Sequence, residues 1–206
     1  MSTTSSMSID ALELFSDCLA QATIIVKQVL PNYLTNPTPE AEWDVRDLTE
    51  HMISVLNSVP AVLLGKSTET NELENFEDAL EHSTEELSYR WQQAADEAEA
   101  AILEVDLDDT VIYNSIQLSI EDFLIEQAGD LLIHAWDLGE AIGMPVKFAP
   151  NVAAAVMETT LVPNKTTLRE HNLLMEPLDS PLNADLQARL LALFGRSNSW
   201  REHLAA

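Results

Sequence analysis

Apolar residues recur along the chain in stretches of helical period. Between Ile9 and Leu30, the residues Ile9, Leu12, Phe15, Leu19, Ala22 and Val26 fall at three- and four-residue steps, and Pro31 stops the pattern. A loop containing Pro and Asn follows through Glu42. A second stretch opens at Asp44, with Asp47 in its first turn, and carries Val45, Leu48, Met52 and Val55 on one face. Pro60 kinks or ends it, and Gly65 closes a short continuation; Lys66 to Glu81 reads as an acidic surface loop. Ser83 and Glu86 are spaced as a capping box before Leu87, Trp91, Ala94, Ala98 and Ile102. Thr110–Leu118 is β-branched and suits an extended stretch or hairpin.

The longest periodic stretch starts at Ser119, with Asp122 in a capping position, and runs to Ile142. Gly143 is its C′ residue and Pro145 its stop. Its apolar face carries Phe123, Leu131, Leu138 and Ala141, but also Gln127, Asp130 and His134. Shorter helices are predicted over Pro150–Val162 and Ala184–Phe194, the latter ending at Gly195. Asn164–Asn183 is irregular. Four long amphipathic helices predict an all-α bundle, about residues 9–162, with a C-terminal helical extension over about 163–206, the whole 1–206 forming one domain.

Composition narrows the function classes. Of 206 residues, 35 are Asp or Glu and 10 are Lys or Arg, a net charge of −25. Such a chain repels nucleic acid and anionic membrane, and offers no basic stripe to either. No apolar run approaches the roughly 18 residues of a membrane span. The Ser/Thr-rich start lacks the basic and apolar parts of a signal peptide, and the one cysteine, Cys18, has no internal partner. A cytoplasmic protein acting on a small molecule is the expectation. A homodimer is an arrangement open to a bundle with apolar stripes.

Ionisable groups on core faces need partners, since burying a polar group without one costs about 2–7 kcal/mol. His51 lies between Leu48 and Val55, and Asp130 and His134 lie four residues apart on one face. A carboxylate and an imidazole at that spacing can chelate one ion, with His51 on a facing helix as third ligand. Two histidines and a carboxylate suit zinc first, with nickel or iron as alternatives, and leave positions open for water or substrate. Spacing alone equally fits a core histidine bonded to a carbonyl beside a local Asp–His pair.

Three motifs bear on this choice. Trp43-Asp44-Val45-Arg46-Asp47-Leu48-Thr49-Glu50-His51 resembles the signature of the DinB-like superfamily, closest to its mycothiol-dependent maleylpyruvate isomerase N-terminal branch. Asp130-Leu131-Leu132-Ile133-His134-Ala135-Trp136-Asp137-Leu138 is similar to that branch's acid/histidine helix. Leu190-Leu191-Ala192-Leu193-Phe194-Gly195-Arg196 through Trp200 resembles the ending of an actinobacterial-type subfamily. The resemblance implies a four-helix bundle of up-down-down-up order and a divalent metal on His51, Asp130 and His134. It implies S-transfer or isomerisation with mycothiol or another low-molecular-weight thiol. The alternative is a non-catalytic metal- or ligand-binding bundle, which the scarcity of basic residues favours.

The remaining candidates follow from position. Arg46 and Arg169 are the basic residues available to a carboxylate-bearing thiol, although Arg46 is also placed to pair with Glu42 or Glu50. Gln127, one turn before Asp130, borders the open coordination position. Asp137 either orients an imidazole or caps a loop. Trp43 and Trp136 are expected in the core, and Cys18 as a small buried hydrophobe. His82, His171 and His203 need no role, His171 being the one best placed to reach a site mouth. The Pro39–Glu42 loop, where relatives carry Cys-Pro-Gly, is expected to say little about the site.

Overall fold

The computed structural model describes residues 10–65, 83–160, 176–180 and 183–201. Within them lie α1 (Ala11–Val26), a 3-10 turn (Pro31–Tyr33), α2 (Val45–Leu63), α3 (Thr84–Ile102), a hairpin of β1 (Thr110–Tyr113) and β2 (Ile116–Ser119), α4 (Ile120–Ile142), α5 (Pro150–Thr160) and α6 (Leu186–Leu193). Helix starts follow local chemistry. The Asp10, Asp44, Ser83, Ser119 and Asp185 side chains each accept a backbone N–H of the first turn, and Asp44/Asp47 and Ser83/Glu86 form complete capping boxes. The hairpin turns on Asn114 and Ser115, both at positive φ (48° and 63°), and pairs Thr110 with Ser119 and Tyr113 with Ile116.

The architecture is an all-α bundle. α1 packs chiefly on α4 and α2 on α3, while α2–α4 and α1–α3 contacts close the ring. The loop before α2 reaches the C-terminal half of α4 and His51 reaches Asp130 further back, so α2 runs antiparallel to α4. α5 lies against α1 and α4, and α6 against α5. Crowded from several sides, α4 is buried at every residue from Leu131 to Gly139. That burial places any polar group on this stretch in the interior, Trp136 packing there as expected.

Two core faces differ from the periodic reading. On α2 the buried row continues through Leu56, Val59 and Val62, and Val55 is only partly buried, because the helix passes through Pro60 and ends at Leu63. α1 ends at Val26, short of Leu30, and Leu30 is exposed. One close approach escapes the pattern altogether. A methyl at Gly139 would stand 2.4 Å from Val146 Cγ2 and 2.6 Å from the Met144 carbonyl oxygen. Only glycine lets the segment after Gly143 (φ 85°) fold back across α4. The Lys66–Glu81 loop, most of Asn164–Asn183, Arg169, His82, His171 and His203 lie outside the described residues.

Candidate metal centre

His51 projects from the second turn of α2, and Asp130 and His134 from successive turns of α4. Their side chains converge. His134 Nε2 is 3.4 Å from Asp130 Oδ1, and His51 Nε2 is 3.8 Å from Asp130 Oδ2. The imidazoles meet edge to face with centroids 4.9 Å apart. One ligand atom from each residue lies within 4.8 Å of the others. Donors sharing a tetrahedral zinc at 2.0–2.1 Å sit about 3.3 Å apart, a spacing the His134–Asp130 pair already has and that His51 would reach by drawing in. Asp130 Oδ2 is buried and carries no hydrogen bond, with His51 Nε2 standing 3.8 Å away, so it is an acceptor that a cation could use. The residues present therefore fit a divalent ion.

The electrostatics run the same way. Burial opposes the Asp130 charge, but His134 and then His51 outweigh it and hold the carboxyl well below the usual range. Burial likewise opposes a charged His134, yet Asp130 and Asp137 push its pKa up to about 10. The centre opens on the Asp130 side, where that side chain is 34% exposed against 8% for His134.

Behind His134 the site is closed. Its Nδ1 lies 3.1 Å from Asp137 Oδ2, a carboxylate with no exposure. Arg196 donates to the same carboxylate from Nε (3.1 and 3.2 Å) and Nη2 (2.8 Å), and Nη2 also contacts Glu40. Burial penalises the Asp137 charge, but the His134 hydrogen bond and the guanidinium outweigh it, leaving the carboxyl below its ordinary range. Of the two roles open to Asp137, holding an imidazole is the one observed.

Several readings need correction. Trp43 packs partly on the core, but its ring also lies 4.7 Å from that of His51 and 6.3 Å from that of His134, making it a wall of the centre. The loop before α2 does bear on the site, because Glu40 joins the Asp137–Arg196 cluster. Arg46 sits in the first turn of α2, five residues before His51 and so about 140° around the helix from it, away from the ligand face. Glu50 accepts a 2.6 Å bond from Arg90. Gln127 is 2% exposed on the Asp130 face, with Oε1 lacking a hydrogen bond. Tyr113 from the hairpin adjoins it; burial, then the Asp130 charge, pushes its phenol up to about 12. Cys18 is buried, and desolvation pushes its thiol up to about 12, as fits a core residue.

Sequence reasoning passed over Arg196 and Glu40. The signal for Arg196 was the Gly195-Arg196 pair in the last motif, in a chain with few cations. For Glu40 there was none, since a loop carboxylate in so acidic a chain is unremarkable in sequence.

Among the described residues, no helix is long and apolar enough to cross a membrane. No curated protein and no solved structure matches the chain. Residues 16–139 match the family model described as mycothiol maleylpyruvate isomerase N-terminal domain, a span that includes His51, Asp130 and His134, and the chain belongs to that family.

Proposed function

We propose that this chain binds a divalent metal, zinc before nickel or iron, through His51, Asp130 and His134. On this reading it uses a low-molecular-weight thiol of the mycothiol type to transfer sulfur to, or isomerise, a small electrophile. The observation that carries the reading is the convergence of two imidazole nitrogens and a carboxylate within 4.8 Å, one carboxylate oxygen lacking a hydrogen bond. Family membership supports the choice of a mycothiol-type thiol. When bound, such an ion supplies Lewis acidity that lowers the pKa of a thiol or water at an open position.

The chain's own residues do the rest. Asp137 accepts a hydrogen bond from the Nδ1–H of His134 and leaves Nε2 facing Asp130. Trp43 covers the His51 ring and limits water on that side. Gln127 and Tyr113 present polar atoms beside Asp130, where a ligand would be oriented. On the same reading the protein works in the cytoplasm, where thiols are kept reduced.

One observation favours a non-catalytic binder at the same centre. Among the described residues, Arg196 is a cation that reaches the site, and it is engaged by Asp137 and Glu40, whereas a carboxylate-bearing thiol would call for a cation of its own.

The test is elemental analysis of untagged protein beside His51→Ala and His134→Ala. Near-stoichiometric metal in the wild type, lost from both variants, is expected, followed by metal-dependent thiol consumption with a suitable electrophile. Full metal retention by His51→Ala would remove the assigned site. Bound metal without turnover of any thiol would leave the binder.

A further inference from the structure

We propose that the metal centre extends past the family-matched region, and that Arg196 of the C-terminal segment is a positioning residue for His134, acting through Asp137. The proposal rests on the reading of His134 as a ligand.

The backbone delivers this side chain deliberately. α6 ends at Leu193 with Phe194 as its C-cap, Gly195 turns at positive φ (77°), and the Arg196 N–H returns to the Leu191 carbonyl at 2.8 Å. Leu190 and Leu191, both without exposure, lock α6 into the core, so the turn is anchored. The guanidinium then enters the interior with its side chain 5% exposed. Nη1 donates to the Phe194 carbonyl at 3.1 Å, fixing the plane of the group. Nε and Nη2 grip Asp137 as a fork, a geometry Lys cannot reproduce.

Asp137 is thereby held from two directions, with Arg196 on one side and His134 Nδ1 on the other. A free carboxylate has two side-chain torsions to turn about; this one has a single orientation. Its Oδ2 fixes the plane of the His134 ring and keeps the proton on Nδ1, so Nε2 points at Asp130. Outer partners of this kind typically change metal affinity about 10–100-fold when removed.

Simple stabilisation does not account for the cluster. A buried ion pair is often matched or bettered by apolar residues of the same volume, so it is a poor device for stability alone. Arg196 also reaches Glu40, in the loop that carries Trp43 onto His51. A second arginine of the segment, Arg201, donates to the Gly139 carbonyl at 3.4 Å and lies 3.7 Å from Glu140. The segment thus clasps α4 over the turns just beyond His134.

The test is zinc affinity of the full chain, by competition with a chromogenic chelator. Wild type would be compared with Arg196→Met, Arg196→Lys, Asp137→Asn and the Arg196→Met/Asp137→Asn double variant, with folding followed by near-UV circular dichroism. Arg196→Met and Asp137→Asn are each expected to weaken zinc binding about 10–100-fold. The double variant should be no weaker than Asp137→Asn, and Arg196→Lys should recover part of the loss. Wild-type affinity in folded Arg196→Met, or losses that multiply in the double variant, would overturn the proposal. If Arg196→Met does not fold, Arg196→Lys decides, unchanged affinity counting against. If wild type binds no zinc, the ligand reading fails, and imidazole nitrogen–proton NMR of His134 still judges the positioning. A slowly exchanging, downfield Nδ1 proton should be present in wild type and should exchange faster and shift upfield in Arg196→Lys; identical spectra would refute it.

Discussion

On its Nδ1 side, His134 meets Asp137, fully buried and gripped by Arg196, which also reaches Glu40. On its Nε2 side it meets Asp130, one third exposed, whose Oδ2 carries no hydrogen bond; Gln127 Oε1, one turn back, is in the same state. Both sides bring ligand-type atoms close enough for an ion: His51, Asp130 and His134 on one, Glu40, His134 and Asp137 on the other. Proximity therefore does not separate them, but charge balance does. In the closed cluster a guanidinium already sits among the carboxylates, and an ion would have to displace it from a buried position. In the open cluster the positive charge is that of protonated His134, whose Nε2 proton an ion would displace, and Asp130 Oδ2 carries no hydrogen bond. One side of the ring is support and the other is receptor.

The largest effect should come from exchanging the two carboxylates of α4. Asp137→Ala strips Arg196 of its main partner in the interior, and should destabilise the metal-free protein by about 3–5 kcal/mol. Asp130→Ala removes a one-third-exposed carboxylate from His134, which keeps Asp137 as its other partner, and should cost less, about 1–3 kcal/mol, while abolishing metal binding. Denaturant unfolding of metal-free samples measures both. Equal costs, or the reverse order, would erase the division into support and receptor.

A smaller and graded effect is expected with pH. The folded pKa of His134 is raised to about 10 from an ordinary 6.5, so its contribution is complete below 6.5 and fades as pH rises through 10. The carboxyls of Asp130 and Asp137 are depressed, so theirs is present above about 4 and fades as pH falls. Metal-free protein should thus be most stable between about pH 4 and 6.5 and weaken towards pH 10. Zinc must displace the Nε2 proton, so zinc affinity should rise over the interval in which metal-free stability falls. Unfolding curves and chelator competition at pH 6, 8 and 9.5 would reveal the opposed slopes. Parallel slopes, or a flat stability profile shared by His134→Gln, would contradict the protonation scheme.

The receptor side was far easier to read from sequence than the support side, for a physical reason. His51, Asp130 and His134 interrupt apolar stripes, and Asp130 and His134 are one helical turn apart, so the pattern that predicts the helices also exposes the exceptions. Capping residues gave the helix starts because they act within three residues. Arg196 reaches Asp137, and Glu40 reaches Arg196, across long sequence separations, from a turn and a loop, where no periodicity operates. Trp43 was legible as a helix-flanking aromatic, but its stacking on His51 depends on how the loop enters α2. Gly139 is required by a contact with Val146 and Met144, which only the folded return of the chain creates.

The smallest effect tests the receptor side most directly. Gln127 buries an amide oxygen that has no hydrogen bond, and an unsatisfied buried acceptor costs about 1–3 kcal/mol. Met has similar volume and no such acceptor. Gln127→Met gives up the contact with Tyr113 but removes that penalty. The two should nearly cancel, leaving metal-free stability within about 1 kcal/mol of wild type, with any net change towards greater stability. A loss above about 2 kcal/mol would place Gln127 with Asp137 as structural cement, and the boundary between the two sides would move. A neutral or stabilising result means that the polar atom beside Asp130 serves no purpose in the metal-free fold. Its place would then be explained by what it orients when the centre is engaged, the same logic that leaves Asp130 Oδ2 without a hydrogen bond.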